Sequence, residues 1–176
     1  FESFKEKLHA SARVYHTLKT LIKGSTAVGD EGGFAPNLEK DEDALELICD
    51  AVEKSGYKME KQFSLCLDIA SSEWYKDGKY FMPKAKREVS CDELISYYKK
   101  LCEDYPIFSL EDPMAENDFE GFEKITRELG DKIQIVGDDL FVTNTKRLKA
   151  GIERKMGNAI LIKPNQIGTL TETLDA

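Results

Sequence analysis

Four short apolar runs in this 176-residue chain each lead into a charged residue. Leu65-Cys66-Leu67 runs into Asp68, Ile107-Phe108-Ser109-Leu110 into Glu111, Ile133-Gln134-Ile135-Val136-Gly137 into Asp138, and Ile160-Leu161-Ile162 into Lys163. Three carboxylates around one point repel each other unless a cation sits among them, and hard oxygen donors suit Mg²⁺. Zinc would prefer a histidine or cysteine set, which does not accompany these acids. A lysine beside that cation, partly desolvated, is expected to have a lowered pKa and to serve as a neutral base. Together these groups suit removal of a proton α to a carboxylate. Asp112 and Asp139 are rival ligands. Neighbours in an extended strand point to opposite faces, so one of each pair can face the metal, and the sequence does not choose between them.

A second candidate is the run Gly29-Asp30-Glu31-Gly32-Gly33. Glycines allow close backbone approach, so such a loop can hold a carboxylate over a ligand. A β-elimination needs an acid for the departing hydroxyl, and a Glu in a closed site could supply one. Taken alone, the composition of the run favours a solvated turn, and it gains weight only together with the strand-end set.

The elements that must place these groups follow from periodicity. Phe1, Phe4, Leu8, Leu18, Leu21 and Ile22 predict an amphipathic helix ending near Gly24, and Leu45, Ile48, Cys49 and Val52 a second ending at Gly56. Strands are predicted at 63–69, 107–110, 133–136 and 159–162. Ser90 and Glu93 match a capping box ahead of the helix face Leu94, Tyr97, Tyr98 and Leu101. Further helices carry Phe122, Ile125 and Leu129, and then Leu148 and Ile152. Residues between the first strand and Ser90 read as a polar excursion with a Lys76-Asp77-Gly78 turn. Short strands, apolar on both faces and alternating with amphipathic helices, indicate a parallel α/β sheet with crossover helices. The charged residues lie 43, 27 and 25 apart, around the ~31-residue unit of a (β/α)₈ barrel, a spacing that separates a barrel from an open sheet only weakly. In a barrel the carboxyl-terminal strand ends converge on one catalytic mouth.

Composition sets the outer bounds. Hydrophobic residues make up 41% and charged residues 33%, as in a globular protein. No run approaches the ~20 apolar residues of a membrane span. A net charge of −8 argues against non-specific nucleic-acid binding, which needs a basic patch. Cys49, Cys66, Cys91 and Cys102 are expected to be buried, reduced thiols, and His9 with His16 form no ligand set by themselves. The chain opens on helical periodicity without Met and closes on the apparent start of another helix, so both ends read as cuts.

With these residues assembled, the chain resembles the enolase family. The resemblance rests on the segments Val28 to Asn37, Ser109-Leu110-Glu111-Asp112-Pro113, Gly137-Asp138-Asp139-Leu140 and Leu161 to Thr169. A lysine base beside Mg²⁺ is the arrangement already known for enolase-superfamily sites, and the residues here are matched to it. The resemblance implies residues 1–176 as the central portion of a TIM-type barrel domain, a partial (β/α)₈ barrel lacking the N-terminal domain and the last barrel units. It implies Asp68, Glu111 and Asp138 as Mg²⁺ ligands, in preference to Asp112 and Asp139. Lys163 is the implied base for the C2 proton of 2-phosphoglycerate and Glu31 the implied proton donor, with Glu31, Glu111, Asp138 and Lys163 against substrate. It further implies phosphoenolpyruvate as product, a homodimer or larger assembly, and a cytoplasmic glycolytic role, with some members also at the cell surface or secreted. The isolated 176 residues are expected to be inactive. Alternatives are another acid dehydratase or racemase of the superfamily, or a non-catalytic surface-binding role.

Overall fold

Ser3 starts the first helix by accepting the Glu6 amide on its hydroxyl, and α1 runs Phe4–Leu21. The computed structural model describes residues 1–176 and divides into two compact units, Phe1–Ser64 and Leu65–Ala176. In the first, α1 packs against α2, Glu42–Lys54. Val14, Ala51 and Val52 form the buried cluster, with Leu18, Leu21, Tyr57, Met59 and Phe63 partly buried around it. Phe4 and Leu8, expected on the apolar face, are exposed, because α1 buries only the side that meets α2. Gly56 ends the second helix with φ +85°, a conformation that favours glycine.

The second unit begins with β1, Leu65–Asp68, shorter than the predicted 63–69 because Phe63 is drawn into a bridge with Met59. A 3₁₀ turn at Ser71–Trp74 follows. The polar excursion is in fact a three-stranded antiparallel sheet of β2 (Tyr75–Lys76), β3 (Lys79–Met82) and β4 (Arg87–Val89). Its first hairpin turns on Asp77 and Gly78, both at positive φ, the geometry that an Asp-Gly pair supplies. Tyr80 anchors this sheet. Its buried hydroxyl donates to Asp118 at 2.6 Å and accepts the Ala115 amide at 3.0 Å.

The capping box at Ser90 and Glu93 forms as expected and starts α3, Cys91–Asp104. Then come β5 (Ile107–Glu111), α4 (Phe119–Leu129), β6 (Gln134–Gly137), α5 (Thr145–Arg154), β7 (Ala159–Ile160), α6 (Pro164–Ile167) and α7 (Leu170–Asp175). The strands pair in parallel in the order β1-β5-β6-β7. Leu110 and Ile135 are register partners and fully buried, as are Leu94 of α3 and Phe122 and Ile125 of α4. The other face differs from the expectation of two apolar sides: Cys66 and Gln134 on it are exposed. All four cysteines are free, but none is fully buried as expected: Cys66 is exposed and Cys49, Cys91 and Cys102 are half-buried. No helix is long and apolar enough to cross a membrane.

Candidate metal centre and active site

Strand pairing brings the acids together. Asp68 closes β1 and Glu111 closes β5, and the two are direct register partners, so their side chains leave the same face of the sheet. Asp138 is the first residue after β6 and is buried. Gly137 before it has no room for a side chain: a Cβ there would lie 2.5 Å from the ring of buried Phe141. The expected strand at 159–162 ends at Ile160, so Lys163 does not close a strand. Only the Leu161 amide continues toward β6, donating to the Gly137 carbonyl at 3.1 Å. Lys163 is instead held by its own amide, which donates to the Thr143 hydroxyl at 2.9 Å, and its ammonium donates to Asp138 Oδ2.

The electrostatics record the crowding. Burial first, then the charges of Asp68, Asp138 and Asp112, push the Glu111 carboxyl up to about 7, while Lys163 pulls the other way. Paired with these carboxylates, Lys163 has its pKa raised, chiefly by the hydrogen bond to Asp138; the lowered pKa expected from the sequence belongs to a lysine with a metal cation beside it. The reason is local: the ammonium is the cation that answers these carboxylates here. The donor set fits a hard divalent ion, since it is all carboxylate oxygen and is short of positive charge.

Asp112 has a part that the sequence did not suggest. It lies past the end of β5 at φ +42°, so strand alternation does not govern it. Its buried carboxylate reaches across to the next strand end, accepting the amides of Asp138 at 3.1 Å and Asp139 at 2.8 Å. Burial pushes this carboxyl up to about 6 against those bonds. Carboxylate oxygens of Asp112, Asp138 and Asp139 lie within 4.8 Å of one another, a grouping that could itself hold an ion. Since both Asp112 oxygens already serve backbone amides, its geometry is that of a support for Asp138. Gln166 is a second support, donating to Asp138 Oδ1 at 2.8 Å while it accepts from Thr143 at 3.2 Å. Thr143 gave no sequence signal; Gln166 fell inside a matching segment without a role. Ala70, Asp112, Val142 and Thr143, soon after β1, β5 and β6, all have positive φ, and such strain gathers at functional sites.

Glu31 belongs to the first unit. Val28 bridges Phe34 in antiparallel fashion, and the Ala35 amide donates to the Ala27 carbonyl, making a small hairpin. The amide of Gly29 donates to Gly33 and that of Gly32 to Gly29, so Asp30 and Glu31 sit at the tip, exposed.

A four-stranded parallel α/β sheet with Asp68 and Glu111 closing β1 and β5, Asp138 just past β6 and Lys163 in the segment after β7 fits part of a TIM-type barrel. Residues 1–176 match the family described as enolase, C-terminal TIM barrel domain. The chain is similar to the enolase of Ehrlichia ruminantium (strain Gardel), 56% identical over 99% of this chain and 42% of that protein. It is likewise 55% identical to the enolase of a Nitratiruptor species, over the same shares of each. The enolase of Ehrlichia canis (strain Jake) is 56% identical over 98% of this chain and 41% of its own length. The chain belongs to the enolase family. It spans about two fifths of the length of the curated relatives it matches.

Proposed function

We propose that the complete enzyme containing this chain, as the central portion of its barrel, dehydrates 2-phosphoglycerate to phosphoenolpyruvate. Asp68, Glu111 and Asp138 would hold Mg²⁺, which when bound supplies positive charge opposite the substrate carboxylate. Lys163 Nζ takes the C2 proton, and the electron pair left at C2 spreads into that carboxylate. As the C2–C3 double bond forms, the C3 oxygen leaves with a proton from Glu31, as water. Asp138 pairs with the ammonium of Lys163, so the same carboxylate that would hold the metal also sets how firmly the amine keeps its proton. Family membership supports placing this reaction in glycolysis, reversibly, in the cytoplasm and in a homodimer or larger assembly. The observation that carries the reading is the Lys163–Asp138 pair in one cluster with a Glu111 carboxyl that burial, and then its acidic neighbours, push up to about 7.

The test is Lys163→Ala in the complete enzyme. Exchange of the C2 proton with solvent should vanish while divalent-cation binding persists. Exchange at the parental rate would remove Lys163 from the role of base.

A further inference from the structure

The hairpin that carries Glu31 is not held by close packing at its tip. Side chains built at Gly29, Gly32 or Gly33 would meet nothing within 4 Å outside the immediate chain neighbours. Beyond its own backbone hydrogen bonds, the hairpin is restrained by a residue of α1. The Tyr15 hydroxyl donates to the Gly32 carbonyl at 3.0 Å, directly beside Glu31. The Tyr15 ring stacks on Phe34, the hairpin's returning arm, with centroids 4.4 Å apart and planes 22° from parallel. Gly32 itself sits at φ +80°, and a residue without Cβ has other conformations open to it once released.

We propose that Tyr15 is a positioning residue that fixes the Glu31 hairpin through both contacts, the hydroxyl setting the tip and the ring setting the arm. The proposal rests on the reading that Glu31 is the proton donor. Tyr15 is 37% exposed, so the clamp lies at the unit's surface and its loss spares the buried cluster of Val14, Ala51 and Val52. The two contacts are separable: Tyr15→Phe deletes the hydrogen bond and keeps the stack, whereas Tyr15→Leu deletes both.

The test uses both variants, with Glu31→Gln as reference, in the complete enzyme. Turnover of 2-phosphoglycerate, C2-proton exchange and amide hydrogen exchange are measured on each. Loss of the hydroxyl should lower kcat about three- to tenfold and loss of both contacts about ten- to a hundredfold, with KM changed less than about twofold. C2-proton exchange should stay at the parental rate in both, because removal of the C2 proton by Lys163 does not use the proton that Glu31 gives to the C3 oxygen. The amides of Gly29 and Gly32 should exchange faster in both variants. Parental amide protection in Tyr15→Leu would overturn the clamp. Parental kcat in Tyr15→Leu while Glu31→Gln is inactive would overturn its role in catalysis, as would a parallel fall in C2 exchange, the mark of general damage. If Glu31→Gln turns over normally while the loop amides are loosened by Tyr15→Phe, the acid role of Glu31 fails. The catalytic half of this proposal then falls with it, and the clamp alone stands.

Discussion

Replacing Asp112 with Asn tests whether this buried carboxylate supports the metal centre or belongs to it. Each of its oxygens accepts one amide, from Asp138 and from Asp139. Asparagine offers a single acceptor, so one of those amides would face an NH₂ group. Loss of a hydrogen bond to a charged acceptor costs about 1.5–3 kcal/mol, a factor of roughly 10 to 150 in an equilibrium constant. Two further effects accompany it. Removing the charge relieves repulsion with Asp139, which raises Asp112, and with Glu111, so fold stability recovers part of the loss. The same removal lowers the negative potential that attracts a cation. Displacement and charge loss therefore both weaken metal binding, while they oppose each other in stability, and affinity is the sharper readout. Titration of the complete enzyme with Mn²⁺, followed by electron paramagnetic resonance, should show binding about 10–100-fold weaker. Affinity unchanged within about twofold would refute the supporting role. Binding weaker by more than about a thousandfold would instead make Asp112 a ligand, and the Asp112, Asp138 and Asp139 grouping the metal centre.

Tyr80→Phe should destabilise the enzyme by about 2 kcal/mol in denaturant titration, because it leaves the buried Ala115 amide unpaired and takes a donor from Asp118. A loss below about 0.5 kcal/mol would show that other partners replace the phenol. Burial, and secondarily Asp118, pushes the Cys91 thiol up to about 11. Its alkylation by iodoacetamide, read by mass spectrometry, should accelerate only as pH approaches 11. The native state keeps this proton longer than the unfolded chain, so the thiol subtracts stability as pH rises from about 9 toward 11. Rapid labelling of Cys91 at about pH 8, below even the ordinary thiol pKa, would contradict its burial.

The local sequence carried much of the architecture. Apolar runs, a Ser-x-x-Glu cap and helical spacing depend on neighbours along the chain, and β5, β6, α3 and α4 appear where those signals placed them. The charged residues at the strand ends were legible for the same reason, since parallel pairing carries Asp68 beside Glu111 once the runs are strands. The antiparallel sheet was legible in principle from Asp77-Gly78, but its short strands lack the length that gives periodicity its weight. What tertiary structure alone decided is how the charges are used. Asp112, a rival ligand in the sequence, gains the part of a backbone clamp because its oxygens meet amides 26 and 27 residues away. Lys163 gains a raised pKa from Asp138, and Thr143 and Gln166 acquire their parts, through hydrogen bonds between different strand ends. Such contacts depend on distance in space and on burial, and no pattern along the chain encodes either directly.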